Sequence, residues 1–217
     1  MKDGSLLVGD SMNGVIYRVS YTGPSAAKSE RPTLALSNPP RSSEPEPSDI
    51  AIRLVMTPAD ANLTVTSPSL KQGEQVPPQH SASGDDASPH LAWSGAPKET
   101  KSFAIVMDDP DAAVKPFTHW VAWNIPAHVQ ELREGLPTAP LLKNPAEIAQ
   151  GRNTRGSVGY FGPKPPHGDP PHHYHFQVFA LDRMLDLKPT ASREELLRAM
   201  EGHVLAAGEL VPTFAQK

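Results

Sequence analysis

Beyond residue 62, the hydrophobic positions fall in short runs that glycine and proline interrupt. Four such runs occupy residues 63–66, 103–107, 120–125 and 176–181. Short apolar runs bounded by turn residues are typical of antiparallel strands. The pattern therefore predicts a mainly β domain of antiparallel strands over residues 62–217.

Helical periodicity is confined to two segments. Ser192 and Glu195 have the spacing of a capping box, and a core-facing stripe follows them, formed by Leu196, Leu197, Met200, Val204 and Leu205. This predicts a C-terminal helix. The pair Asn144-Pro145 resembles a helix cap followed by a first-turn proline and predicts a second helix over 146–150.

The N-terminal third has a different pattern. Two apolar runs flank Asn13-Gly14, which predicts a β-hairpin in residues 1–21. Residues 22–49 contain six prolines and six serines, which is a linker composition. Residues 50–56 fit a short helix or a strand equally well, so we extend the predicted linker to residue 61.

Composition excludes several classes of protein. The 25 prolines in 217 residues argue against a helical bundle. The absence of cysteine removes disulfides, thiolate zinc sites and cysteine nucleophiles. A net charge of −4 without a basic run argues against nucleic acid. No run of about 20 apolar residues suggests a membrane span, and no signal peptide is evident. We expect a cytoplasmic protein, or a periplasmic one if the natural start lies upstream.

Polar residues are concentrated in three stretches that strand patterning does not require. The first, 107–112, contains Asp109 and Asp111 beside Pro110, and such acidic residues usually form a turn. In the second, 117–126, period two places His119 on one face with Val121, Trp123 and Ile125. A structural histidine is the more common explanation of such a position.

The third stretch, 162–177, is a proline-rich loop followed by a strand. Alternation places His172, Tyr174 and Phe176 on one face and His173, His175 and Gln177 on the other. The histidines therefore cannot all converge. Their spacing matches no established metal motif, so we expect neither a metal nor another cofactor.

Together these stretches resemble the phosphatidylethanolamine-binding protein family, in particular its bacterial Raf-kinase-inhibitor-like branch. The resemblance covers residues 63–217 and rests on the order of its motifs: LTVTSP at 63–68, SPHLAWSGAP at 88–97, DPDA at 109–112, HWV at 119–121, NIP at 124–126, the stretch 162–174, and AMEGHVL at 199–205 with ELV at 209–211. It implies a compact two-sheet antiparallel β fold with a small anion-binding cavity.

The resemblance also implies site residues. The cavity would use Asp109, His119, His172 and Tyr174 for binding, with Asp109 orienting a histidine and Asp111 shaping the loop. Histidine and tyrosine donors suit a phosphoryl group. The chain departs from the family pattern at four positions, which leaves the ligand preference open: Ala113 replaces proline, His173 arginine, Lys164 cysteine and Phe117 tryptophan.

Three functions fit these observations. The preferred one is non-catalytic binding of a phosphorylated small molecule, a lipid headgroup or a phosphorylated side chain, with inhibition of a kinase or protease as one consequence. The second is a phosphoester hydrolase that uses His119 and His172 as acid and base. The third is an accessory domain of a sugar dehydrogenase fusion, because the first twenty residues resemble the closing strands of a sorbosone dehydrogenase β-propeller.

Overall fold

The computed structural model describes residues 6–10, 15–19, 49–55, 61–114 and 116–216, in two compact units that divide after residue 41. In the first unit, β1 (Leu6–Asp10) and β2 (Val15–Val19) pair antiparallel, as expected for the predicted hairpin. The Asn13-Gly14 turn and the proline- and serine-rich stretch 22–48 lie outside the described residues.

Within its described residues, the second unit contains two short α-helices, a 3₁₀ turn at Pro78–His80 and eleven strands. The helices are α1 (Ala51–Leu54) and α2 (Arg193–Met200). The strands are β3 (Thr64–Thr66), β4 (Leu91–Ser94), β5 (Ser102–Asp109), β6 (Phe117–Pro126), β7 (Glu131–Leu132), β8 (Leu141–Leu142), β9 (Ile148–Gln150), β10 (His172–His173), β11 (His175–Leu181), β12 (Val204–Leu210) and β13 (Thr213–Phe214).

The strands form one large sheet and two smaller ones. The large sheet has the order β12-β11-β5-β6-β9-β8, and the smaller sheets are β3-β4-β7 and β10-β13. All of these pairings are antiparallel. This confirms the predicted fold class, a mainly β domain with packed antiparallel sheets and a C-terminal helix.

Both faces of the large sheet are covered, so β5 is buried along its whole length. One face packs against the β3-β4-β7 sheet through Leu91 and Trp93 of β4. The opposite face packs against the helices through Ala51, Leu196 and Met200. We call these the sheet-side core and the helix-side core. No helix within the described residues is long and apolar enough to cross a bilayer.

Helix α2 has the predicted start but a different end. Ser192 accepts a hydrogen bond from the Glu195 amide, and the Glu195 carboxylate accepts one from the Ser192 amide, so the capping box is confirmed. The helix ends at Met200, and Gly202 has a φ of +74°. The prediction that Val204 and Leu205 continue the helix is therefore wrong. They begin β12, where backbone pairing with β11 outweighs the local helical spacing.

The predicted helix over residues 146–150 is also wrong. Residues Ile148–Gln150 form β9, which pairs with β6 on one side and β8 on the other. Ile148 is fully buried. Pairing with a strand on each side and burial of Ile148 favour the extended conformation over a five-residue helix.

Residues 49–55 belong to the compact unit, although the sequence placed them in the linker. They include α1, which settles the choice between helix and strand. The amide of Ala51 donates to Asp108 at 3.0 Å, and the amide of Ile52 donates to the Gln177 side chain at 2.6 Å. Ala51 is fully buried. This segment therefore covers part of the helix-side core.

Candidate functional site

The site is built around Asp109, the last residue of β5. Its Oδ1 accepts hydrogen bonds from the amides of Asp111 at 2.8 Å and Ala112 at 3.1 Å. This is the acidic turn that the sequence suggests, because an aspartate carboxylate can bond to amides two and three residues later. The second oxygen, Oδ2, faces the histidines. The carboxylate thus fixes a loop and orients an imidazole at the same time.

His119 reaches Asp109 because β6 contains a bulge. Met107 pairs with Trp120, but Asp108 pairs with Thr118, so His119 is an extra residue between two regular pairs. A bulge turns its side chain away from the position that simple alternation would give. The Nε2 atom of His119 lies 4.0 Å from Asp109 Oδ2.

The predicted common face for His119, Val121, Trp123 and Ile125 is therefore wrong. Val121 and Trp123 lie in the helix-side core, whereas Ile125 lies in the sheet-side core, beyond a second irregularity in the pairing. His119 instead lies with Tyr174, with 5.2 Å between their ring centroids. The two irregularities explain why a period of two fails along this strand.

His119 is held as a neutral imidazole. Its Nδ1 lies 2.7 Å from the carbonyl oxygen of Phe161, so Nδ1 carries the proton and donates. The Phe161 ring is parallel to the imidazole, with 5.5 Å between centroids. Burial lowers the pKa of His119 and outweighs the opposite effects of the Phe161 carbonyl and Asp109. Its Nε2 therefore presents a lone pair.

His172 has the opposite character. Its Nδ1 lies 2.8 Å from Asp109 Oδ2. This hydrogen bond raises the pKa of His172, with smaller contributions from nearby carboxylates, and outweighs the effect of burial. The outer nitrogen, Nε2, lies 3.6 Å from Asp169 Oδ2. Around neutral pH, His172 is thus the residue of this group that most readily carries a positive charge.

Tyr174 completes the group: its hydroxyl is buried and makes no hydrogen bond of ordinary length and angle with the described residues, although the Asp109 carboxylate lies near enough to act on it. Burial, followed by the charge of Asp109 and a weak hydrogen-bonding interaction with its carboxylate, raises the pKa of Tyr174, so the hydroxyl keeps its proton. Buried polar groups in folded proteins nearly always have a partner. We use the name Asp109 cluster for Asp109, His119, His172 and Tyr174.

Asp111 and His173 lie outside the cluster. The Asp111 carboxylate accepts from the His173 amide at 2.7 Å and lies 2.8 Å from its Nδ1. His175 is paired with Glu209 at 2.8 Å. The structure thus places His173 and His175 away from Tyr174, as alternation predicts. Asp111 joins the acidic turn to β10 rather than facing the cluster.

A second carboxylate, Asp108, is fully buried directly beneath the cluster. The Arg193 guanidinium donates to it, with Nε 3.0 Å from Oδ1 and Nη2 3.0 Å from Oδ2. Thr118 Oγ1 donates at 3.0 Å and Gln177 Nε2 at 3.2 Å. With the amide of Ala51, these donors satisfy both oxygens of Asp108. Asp108 precedes Asp109 in β5, and Thr118 precedes His119 in β6. The network therefore fixes β5 and β6 from the face of the sheet opposite the cluster.

Sequence patterns do not predict this network, nor do they point to Phe161 or Asp169. The buried position of Asp108 in an apolar strand was a usable signal, but Arg193 is 85 residues away and no local pattern connects the two. Among the described residues, no group of three or more potential ligands is arranged to hold a metal ion. The cluster is therefore best described by its hydrogen-bonding groups.

Two cavities lie outside the cluster. A groove of about 830 Å³ runs between β7 and β8, and its lining includes Glu131, Leu136 and Leu141. A pocket of about 300 Å³ is lined by residues that include Asp86, Arg155 and Phe161. The cluster itself is nearly closed, since His172, its most accessible member, is 6% exposed. A ligand would therefore approach by the edge of His172.

Comparisons with known proteins agree on one family. The sequence profile described as phosphatidylethanolamine-binding protein matches residues 66–215. The chain is 50% identical over 144 residues to UPF0098 protein PH1269 of Pyrococcus horikoshii, covering 66% of this chain and 72% of the relative. It is 37% identical over 164 residues to UPF0098 protein YbcL of Escherichia coli, covering 72% and 90%. The comparisons give no support to the β-propeller resemblance of the first twenty residues.

Two solved structures are similar in fold. The crystal structure of Escherichia coli YbcL, described as a new member of the mammalian PEBP family, aligns with a TM-score of 0.66 and 37% identity. The putative phosphatidylethanolamine-binding protein homolog CT736 of Chlamydia trachomatis aligns with a TM-score of 0.64 and 33% identity. Each covers 72% of this chain and nearly all of the other. The shared part is thus a whole domain.

Proposed function

This chain belongs to the phosphatidylethanolamine-binding protein family, and from that premise we propose that the Asp109 cluster is a non-catalytic binding site for a phosphoryl group. Phosphorylated small molecules, lipid headgroups and phosphorylated side chains share this group. A site that captures the phosphorylated side chain of a kinase or protease would make the protein an inhibitor of that partner.

The observation that carries the proposal is the buried Tyr174 hydroxyl, which has at most a weak interaction with Asp109 and no well-formed hydrogen bond among the described residues. A buried donor without an acceptor costs about 1–3 kcal/mol of stability. A phosphoryl oxygen beside Tyr174 would accept that hydrogen bond, and the outer N–H of a protonated His172 would supply a charge-assisted one.

The neutral state of His119 indicates which ionisation state of the ligand fits. Its Nδ1 proton is given to the Phe161 carbonyl, so its Nε2 can only accept. A phosphate monoester with one proton carries a P–O–H donor as well as acceptor oxygens, and its second ionisation lies near pH ~6. Such a monoanion complements Tyr174, His172 and His119 together. We infer that binding is strongest around that pH.

Binding without reaction is the function that these groups support best. The Nδ1 of each histidine is engaged, with Phe161 for His119 and Asp109 for His172, so each ring can meet a ligand only through Nε2. The Asp109 cluster contains two imidazoles, a carboxylate and a phenol, but no hydroxyl of serine or threonine, and the chain has no cysteine. A hydrolytic route would need a nucleophile activated beside the bound phosphoryl group.

The proposal is tested by titrating the full chain with inorganic phosphate and with phosphoethanolamine, between pH 5 and pH 8, by calorimetry. We expect weak, saturable binding that is lost in His172→Ala. Tyr174→Phe removes one neutral hydrogen bond and should weaken binding by about two- to tenfold. His173→Ala is the matched control, because that imidazole faces Asp111.

Three results would contradict the proposal. Binding that His173→Ala abolishes and His172→Ala leaves intact would place the site on the other face of the strand. An absence of saturable binding at every pH would remove the phosphoryl ligand altogether. Turnover of a generic phosphoester that disappears in His172→Ala would make the protein a hydrolase.

A further inference from the structure

Asp169 lies at the accessible edge of the Asp109 cluster. Its carboxylate is 46% exposed, and its Oδ2 lies 3.6 Å from His172 Nε2. That nitrogen is the outer one of the ring, because Nδ1 is bonded to Asp109 inside the domain. Asp169 is thus an anion already placed against the N–H through which His172 would contact a phosphoryl oxygen.

The loop holds Asp169 in this position by a tight turn. The Asp169 amide lies 3.3 Å from the Pro166 carbonyl oxygen, and Gly168 has a φ of +87°. A residue with a side chain rarely adopts this backbone conformation, so Gly168 allows the chain to return toward β10. The approach of Asp169 to His172 follows from the turn as well as from charge attraction.

We propose that Asp169 is a built-in competitor of the ligand: its carboxylate occupies the outer nitrogen of His172 and must be displaced before a phosphoryl group binds. The inference rests on the proposed function, since it concerns the same site. Asp169 thereby lowers the affinity for the ligand, and its carboxylate contacts His172 only while no phosphoryl group is bound.

The charges around His172 determine how much the displacement of Asp169 changes the affinity for the ligand. Asp109, Asp111 and Asp169 all act on this imidazole. Asp109 and Asp111 have other hydrogen-bond donors, the amides of Ala112 and His173. Within the described part of the chain, the Asp169 carboxylate is paired with His172. A half-exposed ion pair contributes little free energy, so its displacement should change affinity by about two- to fivefold.

The test uses the full chain, inorganic phosphate and calorimetry at pH 6.5. Asp169→Asn keeps the shape of the side chain and removes its charge, and we expect it to bind phosphate about two to five times more tightly than the wild type. Asp169→Glu keeps the charge and should stay within about twofold of the wild type. The matched control is Asp186→Asn, an exposed acid beyond the far end of β11 that gives the same change in net charge.

A second variant and a second readout separate this mechanism from a general charge effect. Gly168→Ala meets no neighbouring atom but disfavours the positive φ, so it should loosen the turn and also tighten binding. In the absence of phosphate, nitrogen NMR of His172 should show a lower pKa in Asp169→Asn than in the wild type, because a neighbouring negative charge has been removed.

The outcomes are distinct. Equal gains in Asp169→Asn and Asp186→Asn, or no gain in Asp169→Asn, would overturn the inference while leaving the phosphoryl site intact. A gain of about two- to fivefold in Asp169→Asn, with no gain in Asp186→Asn, would support it. If neither the wild type nor any Asp169 variant binds phosphate, the proposed function fails, and the inference fails with it.

Discussion

Removal of the Arg193 guanidinium should destabilise the domain strongly. The Asp108 carboxylate beneath the cluster is fully buried, and Arg193 contacts both of its oxygens. Arg193→Met keeps much of the side-chain volume but leaves a buried carboxylate without its cation. Breaking one partner of such a pair costs about 3–5 kcal/mol. The remaining donors, Thr118, Gln177 and the Ala51 amide, place the expected loss near the lower end of that range.

Urea denaturation followed by tryptophan fluorescence and circular dichroism measures this loss. The control is Arg198→Met on the same helix, where the side chain is exposed and the expected change is below about 0.5 kcal/mol. The double variant Asp108→Asn/Arg193→Met removes both charges, so it should be more stable than Arg193→Met alone. If Arg193→Met loses no more stability than Arg198→Met, the buried pair does not hold the strands beneath the cluster.

Two further predictions concern the helix and the acid–base behaviour of the site. Leu196 is fully buried and Leu197 only partly, so Leu196→Ala should cost about 2–5 kcal/mol in urea denaturation and Leu197→Ala clearly less; equal costs would show that α2 packs differently. Since the folded pKa of His172 is raised, its contribution to stability should be complete below pH ~6.5 and disappear as the pH rises through the folded value. The difference in unfolding free energy between wild type and His172→Gln should therefore shrink from pH 6 to pH 9, and a constant difference would contradict this assignment.

The sequence predicted much of the β domain because its apolar runs are long enough to specify strands. Alternation also placed His172 and Tyr174 on the face opposite His173, and this division holds although the chain passes from β10 to β11, in a different sheet, at Tyr174. The start of α2 was predictable because a capping box is local chemistry. Its end was not, because Val204 is committed to β12 by pairing with β11, which is a contact between distant segments.

The sequence-based predictions that failed have a common physical cause, which is contact between segments far apart in the chain. Period two mislocated the neighbours of His119 because a bulge adds one residue to β6, and a bulge depends on the pairing of two strands. The hydrogen bonds that Arg193 and the Ala51 amide donate to Asp108 join residues 85 and 57 positions apart. Asp169 reaches His172 through a turn whose direction the sequence does not specify. Local patterns contain little information about such contacts.

The central claim is that a phosphoryl group binds within the Asp109 cluster, and side-chain nitrogen NMR of the histidines during a titration with inorganic phosphate at pH 6.5 tests it most directly. The imidazole nitrogens of His172 and His119 should shift together and saturate along one binding curve, while those of His173 and His175 stay in place. Saturable shifts at His173 or His175, with His172 and His119 unchanged, would contradict the claim.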